Sequence, residues 1–170
     1  MEPMYKARYN HRDKMGLTVP LTCHFKFEHA TEKQKFDKHL GGGAPICNGC
    51  GPSGYGPLVP DYIIGVCVTI AGHIHNWGYQ FGTSYEHKRI IDETFQDNMD
   101  RLIRARFMLD TMDLTDDSWI ANINRWYYKR QYRSRLFVAD KIYANAVRIF
   151  GKSAFWDKRK INFSLEDVNA

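Results

Sequence analysis

Apolar positions follow a helical period from Asp61 onward, with side chains recurring at spacings of three and four residues. Such spacing places the side chains on one face of a helix. The pattern predicts a first helix from Asp61, whose side chain suits an N-cap, to about Phe81. The residues that share its inward face are Ile64, Val68, Ala71, His75 and Gly78.

Two more helical regions are predicted downstream. A second helix is expected from about Ser84 to Leu109, and the short turn around Gly82 makes the first two helices antiparallel neighbours. A third region runs from Trp119 to Phe150, as one bent helix or as two, with Gly151 placed to end it. The residues that share the inward face of the second helix are Asp92, Phe95, Met99, Leu102 and Ile103.

The first sixty residues lack this period. Residues 1–40 are polar and basic, and the alternation from Leu17 to Phe27 predicts a strand or hairpin. Residues 41–61 are rich in glycine and proline, which predicts a long irregular loop. The expected fold is mainly α, in a single domain over 1–170. It has an N-terminal arm or hairpin (1–40), a core with an antiparallel helix pair after the Gly-rich loop (41–110) and a basic helical extension (111–170).

Composition places the chain among globular proteins, with 44% apolar and 14% aromatic residues. No apolar run reaches the roughly 18 residues of a membrane span. The segment from Met1 to Lys6 does not read as a secretory signal. Virion-associated and cytoplasmic locations both stay open, as does the oligomeric state.

Positive charge is concentrated near the C-terminus. Residues 121–160 hold eleven Lys and Arg against two Asp, together with Trp126, Tyr127, Tyr128, Tyr132 and Trp156. A surface that combines cations with aromatic rings suits nucleic acid or an anionic membrane surface. The alternative is a solvated helix face with no partner.

Four cysteines leave several options open. Two disulfides are one option, and zinc at the Cys47–Cys50 pair is another. Cys67 and His73 would have to complete a zinc site, and their spacing matches such a site poorly. A redox role would need a helix that begins inside the pair, where glycines and prolines follow instead.

His75 and Asp92 are the candidate centre. Each lies on an otherwise apolar helix face, and a buried imidazole or carboxylate needs a polar partner. Pairing across the two helices satisfies both groups and leaves the second ring nitrogen of His75 as a base. The alternative is a satisfied core pair without chemistry.

The surrounding motifs resemble the phospholipase A2 superfamily over roughly residues 47–103. They are Cys50-Gly51-Pro52-Ser53-Gly54-Tyr55-Gly56, Ala71-Gly72-His73-Ile74-His75-Asn76-Trp77-Gly78-Tyr79 and Asp92-Glu93-Thr94-Phe95. That family places a glycine-rich calcium loop before a helix with a His-Asp-x-x-Tyr motif, and a second helix supplies the Asp of a His-Asp dyad. The chain also looks like small phage-encoded proteins with the same pattern.

The resemblance implies hydrolysis of a glycerophospholipid acyl ester. His75 would deprotonate water, Asp92 would orient His75, and Tyr79 would position Asp92. Calcium would be held by the carbonyls of Gly49, Gly51 and Ser53 and by the residue at Asn76, and it would bind the phosphate and the oxyanion.

Two positions depart from the family pattern. Asn76 replaces a carboxylate ligand with a neutral amide, which lowers the expected affinity for calcium. Gly72 replaces the cysteine that would pair with Cys50, and Cys67 is the nearest substitute. The chain is therefore interpreted as a phospholipase A2-like hydrolase whose activity is retained, weak or lost. The alternative is a non-enzymatic phage or virion accessory protein that binds protein or nucleic acid through the basic helical segment.

Overall fold

The computed structural model describes residues 5–8, 16–20, 23 and 60–156. These are mainly helical, with two small antiparallel strand pairs. The strands are β1 (Tyr5–Arg8), β2 (Gly16–Val19), β3 (Tyr62–Ile63) and β4 (Val66–Cys67). The helices are α1 (Thr69–Phe81), α2 (Tyr85–Thr111), α3 (Trp119–Val138), a π-helical segment (Ala139–Ala144) and α4 (Asn145–Trp156). Within the described residues, no helix is both long and apolar enough to cross a membrane.

The first helix begins eight residues later than the pattern predicts. Ile64 and Gly65 both have positive φ, at 46° and 78°, as in the tight turn of a two-residue hairpin. Residues 62–67 therefore form the β3–β4 hairpin, and the Val68 amide donates to the Asp61 carbonyl at 2.8 Å. Asp61 is not the N-cap, and Ile64 is exposed and not on the helix face. The spacing of apolar residues does not distinguish this turn from a helix, because the hairpin buries Ile63 and Val66 against the same core.

The second helix matches the prediction closely. Ser84 caps it, since the Ser84 hydroxyl accepts the His87 amide at 3.1 Å. The inward face is buried as expected at Asp92, Phe95, Met99 and Ile103, and Leu102 packs at its edge.

The third region is longer than predicted and changes its winding in the middle. The chain leaves α3 through the π-helical segment and continues as α4 to Trp156. The prediction that Gly151 ends the helix is wrong, because Gly151 lies inside α4. A side chain at this position would overlap the Tyr79 hydroxyl. Glycine is therefore required here for close packing.

The N-terminal hairpin is fixed to α2 by one buried side chain. β1 pairs with β2 from Tyr5 against Val19 to Arg8 against Gly16. The Asn98 amide accepts the Thr18 amide hydrogen and donates to the Thr18 carbonyl, both at 2.8 Å. β2 covers only the start of the predicted strand, and most of the remainder up to Phe27 lies outside the described residues.

The main core lies between the β3–β4 hairpin, α1, α2 and the π-helical segment. Its buried members are Ile63, Val66, Val68, Ala71, Phe95, Met99, Ile103, Ala139, Tyr143 and Val147. A second cluster, Tyr79, Ile91 and Phe155, continues it toward the end of α4. The two clusters flank the facing surfaces of α1 and α2, where polar side chains are buried.

A buried arginine ties α3 to α2 and to the β3–β4 turn. Arg135 is only 4% exposed. Its guanidinium donates to an Asp110 carboxylate oxygen at 3.2 Å, to the Ile64 carbonyl at 3.1 Å and to Gln131 at 3.0 Å. Asp110 also accepts from the exposed Arg106 at 2.8 Å.

We expect Arg135→Met to lower the free energy of unfolding by about 3 kcal/mol, because the Ile64 carbonyl and part of the Asp110 carboxylate lose a buried donor. Arg106→Met is the matched control, since it removes an exposed partner of the same carboxylate, and it should change stability by less than about 1 kcal/mol. Urea unfolding of the two variants measures the difference, and equal losses would contradict the assigned role of Arg135.

Candidate functional site

The facing surfaces of α1 and α2 bring His75 and Asp92 into contact. Nε2 of His75 lies 3.1 Å from Oδ1 of Asp92, and both side chains are buried. His75 lies in the middle of α1 and Asp92 two turns into α2, so the short connection after Phe81 sets them opposite each other. The imidazole ring also packs on Phe95, with ring centroids 4.8 Å apart.

Tyr79 joins the same carboxylate from one turn further along α1. Its hydroxyl donates to Oδ1 of Asp92 at 2.7 Å, and its ring lies 4.1 Å from the His75 ring. The i,i+4 spacing puts both donors on one helix face. One carboxylate oxygen therefore accepts from both predicted partners.

Lys88 is the member of this cluster that sequence reasoning missed. Its ammonium donates to the other oxygen of Asp92 at 2.6 Å and reaches the Val147 carbonyl at 3.4 Å. Lys88 is 7% exposed and Asp92 is 6% exposed, so this is a buried ion pair. The available signal was the i,i+4 spacing on α2, which brings a lysine within reach of a carboxylate predicted to be buried.

These contacts keep the carboxylate charged. Burial alone would raise the pKa of Asp92, but hydrogen bonds from His75, Lys88 and Tyr79 outweigh it and lower the pKa below its usual value. Burial and the neighbouring negative charge of Asp92 raise the pKa of Tyr79, so its phenol stays protonated. The cluster is thus a fixed anion with three donors around it.

This arrangement selects one tautomer of His75. An ionised carboxylate only accepts hydrogen bonds, so Nε2 carries the proton that faces Asp92. In the neutral ring, Nδ1 then has a lone pair, and no described residue donates to it. A nitrogen with a lone pair and a fixed orientation is able to act as a general base.

A cavity of about 290 Å³ borders the other side of Asp92. Basic side chains from α2 and α4 dominate its lining, which suits a negatively charged group. Arg89 pairs with Glu86 and Glu93, whereas Arg148, within the described part of the chain, donates to the neutral Gln96. The lining residues are Tyr85, Lys88, Arg89, Asp92, Glu93, Arg148 and Lys152.

The predicted calcium ligands are only partly within the described chain. Gly49, Gly51 and Ser53 lie outside it, as do Cys47 and Cys50. Asn76 follows His75 on α1 and offers one neutral amide oxygen. Across the residues that the structure describes, no group of three or more His, Cys, Asp or Glu side chains forms a metal site.

Gly151 makes the close approach of α4 to this cluster possible. A Cβ atom there would overlap the Tyr79 hydroxyl and lie 3.2 Å from Cζ of the ring. Phe155, one turn further, packs edge-on against the same ring, with centroids 5.2 Å apart. The position of the Tyr79 hydroxyl is thus set by α4 as well as by Asp92.

Comparison with protein-family models, with curated proteins and with solved structures gives no match to this chain.

We expect Lys88→Met to lower the free energy of unfolding by about 3–5 kcal/mol at neutral pH, since it leaves a buried carboxylate without its cation. Lys88→Met also alters how the free energy of unfolding depends on pH in acid. The pKa of Asp92 is lower folded than unfolded, so below about pH 4 the unfolded chain binds more protons and stability falls as the pH falls. Without Lys88, the folded pKa of Asp92 rises towards its unfolded value, so this acid-dependent loss of stability becomes smaller.

Urea unfolding across a pH series measures both effects. Lys88→Met/Asp92→Asn is the matched control: it removes both charges, should be more stable than Lys88→Met at neutral pH, and should lack the acid-dependent loss. A double variant as unstable as Lys88→Met, with the same pH profile, would contradict this assignment.

We expect Gly151→Ala to destabilise the protein by about 1–3 kcal/mol, because its methyl group displaces the Tyr79 hydroxyl. Tyr79→Phe removes that oxygen, so part of the loss should vanish in the double variant, with a coupling of about 1 kcal/mol. Gly65→Ala is the control, since it strains a backbone position with φ of 78° but contacts nothing near Tyr79, and its effect should add to that of Tyr79→Phe. Simple additivity for Gly151→Ala would show that the hydroxyl does not contact α4.

Proposed function

We propose that this protein is a phospholipase A2-like hydrolase that cleaves an acyl ester of a glycerophospholipid, with His75 as the general base. The observation that carries the proposal is the shared oxygen of Asp92, which accepts from Nε2 of His75 and from the Tyr79 hydroxyl at 3.1 and 2.7 Å. A His-Asp pair across two helices, with a tyrosine on the carboxylate, is what the family resemblance implies.

The proposed reaction begins with water at Nδ1 of His75. Nδ1 takes a proton as the water oxygen attacks the ester carbonyl carbon, which forms a tetrahedral intermediate. Asp92 stabilises the imidazolium that forms and holds the ring in place. Collapse of the intermediate breaks the bond to the glycerol oxygen, and Nδ1 returns its proton to that leaving oxygen. The products are a free fatty acid and a lysophospholipid.

Lys88 and Tyr79 act in this scheme as positioning residues. They fix both carboxylate oxygens of Asp92 by contacts of 2.6 and 2.7 Å, so the carboxylate cannot rotate away from His75. Lys88 also balances the charge of Asp92 before the imidazolium forms. Because the donors are already in place, little reorganisation is needed during the reaction.

The cavity beside Asp92 supports an anionic substrate. Arg148 and Lys152 line it from α4, and neither forms an ion pair among the described residues. A phosphate group in this cavity would gain two cations, and the charge of one of them, Arg148, also acts on Asp140. This basic lining suits a phosphate group, and His75 is not among the lining residues.

Calcium would be held by the loop carbonyls of Gly49, Gly51 and Ser53 and by the side-chain amide of Asn76. When bound, calcium would supply positive charge for the phosphate and the oxyanion. A neutral amide is a weaker calcium ligand than a carboxylate. No step above is assigned to the ion.

The second candidate is a non-enzymatic phage or virion accessory protein. The observation in its favour is the burial of the cluster, since His75 is only 7% exposed and Asp92 is saturated with donors. Such a network also serves as a core pair that stabilises the two helices. The protein would then act by binding a protein or nucleic acid through its basic helical segment.

Hydrolysis of a phospholipid in mixed micelles distinguishes the two candidates. We expect wild-type activity that falls by about 10²–10⁴-fold in His75→Gln, because the general base is lost. His87→Gln, in the first turn of α2, is the matched control and should retain activity. Asn76→Asp should raise activity with calcium present and leave it unchanged in chelator, because it restores a charged ligand.

Folding of each variant is checked by urea unfolding, so a loss of activity cannot be mistaken for a loss of structure. Absence of hydrolysis in wild type, His75→Gln and Asn76→Asp, with and without calcium, would remove the enzyme and leave the binding protein.

A further inference from the structure

Helix α3 presents an apolar row to solvent. Trp119, Ile123, Trp126 and Phe137 lie on one face at helical spacing, and Trp119 and Trp126 are 72% and 61% exposed. From Trp119 to Phe137 the row extends about 27 Å along the axis. The opposite face packs on the domain through Ala121 and Arg135. The exposed residues are therefore not needed for the core.

Cations lie within the same face. Arg130 and Arg133 continue the row between Trp126 and Phe137, and Lys129 borders it. The Arg130 guanidinium lies over the Trp126 ring, 5.6 Å from its centroid. A cavity of about 350 Å³ is lined by Trp126, Lys129, Arg130, Arg133 and Ser134. The face thus combines apolar anchors with a basic hollow large enough for a small anionic group.

The chemistry of the face separates the classes of partner. In a second copy of this chain packed in parallel along the same row, Arg130 and Arg133 would meet their own like charges. Nucleic acid would use the cations and the aromatic rings but would gain nothing from the exposed aliphatic side chains of Ile120 and Ile123. A lipid surface uses all three kinds of side chain.

We propose that α3 docks in the plane of an anionic lipid surface. Trp119, Ile123, Trp126 and Phe137 enter the boundary between headgroups and acyl chains, and Arg130, Arg133 and Lys129 bind lipid phosphates. This docking identifies an anionic lipid surface as the partner of the proposed lipid hydrolase. It depends on residues other than His75 and Asp92. Docking and hydrolysis therefore fail or succeed independently.

Co-flotation with vesicles tests the docking. The vesicles are made of ether-linked phosphatidylcholine, alone or mixed with an equal part of ether-linked phosphatidylglycerol, so that no acyl ester is present. We expect the full chain to bind the mixed vesicles and to bind the neutral ones weakly. Arg130→Gln/Arg133→Gln should weaken binding by about 30-fold, from about 1 kcal/mol for each cation at the surface. Trp126→Ala/Ile123→Ala should weaken it by at least about tenfold.

One control removes the same net charge elsewhere, and a second removes one exposed apolar side chain outside α3. Arg104→Gln/Lys141→Gln and Ile149→Ala change exposed positions on α2, the π-helical segment and α4, and they should bind within about threefold of wild type. His75→Gln should bind as wild type does, which separates docking from catalysis.

Three outcomes would overturn the docking proposal. One is equal binding by wild type and both α3 variants. The second is binding of a duplex oligonucleotide that falls with Arg130→Gln/Arg133→Gln, with no binding to either vesicle. The third is a dimer in sedimentation equilibrium that Trp126→Ala/Ile123→Ala dissociates, again with no vesicle binding.

Discussion

The burial of one carboxylate organises the centre of this protein. Asp92 lies inside the packed domain as an anion, and a buried anion must be surrounded by donors. Those donors come from His75 and Tyr79 on α1 and from Lys88 on α2 itself. Lys88 in turn reaches the Val147 carbonyl on α4. A single charge thereby ties together the three helices that enclose it.

Close approach of backbones is the second requirement of this arrangement. A Cβ atom at Gly78 would lie 2.7 Å from Cγ2 of Ile91, so only glycine lets α1 and α2 pack this closely. Gly151 serves α4 in the same way, against the Tyr79 hydroxyl. The donors reach Asp92 because α1 approaches α2 closely at Gly78 and α4 approaches α1 closely at Gly151.

The sequence predicts the polar contact better than it predicts the backbone around it. His75 and Asp92 are predictable because each interrupts an apolar face, and each needs a partner when buried. The β3–β4 hairpin is not predictable from spacing, because Ile63 and Val66 are buried in the core from extended backbone just as helical residues would be. The burial of Lys88 is not predictable, because a lysine on a helix is usually at the surface. Its burial depends on the Val147 carbonyl, which lies far along the chain. Gly151 resembles a helix terminator until Tyr79 is seen beside it.

The π-helical segment between α3 and α4 has a consequence for how the chain tolerates insertion and deletion. A π-helical turn holds one more residue than an α-helical turn, so it changes the phase between the helix before it and the helix after it. A chain shortened by one residue here would wind the segment as an α-helix and keep nearly the same phase for α4, whereas α-helical winding of all of Ala139–Ala144 would rotate α4 by about 100° relative to α3. Gly151 and the Val147 carbonyl would then leave Tyr79 and Lys88, while α3 kept its own exposed face. The π-helical winding therefore sets the rotation of α4 that places Gly151 against Tyr79 and the Val147 carbonyl against Lys88.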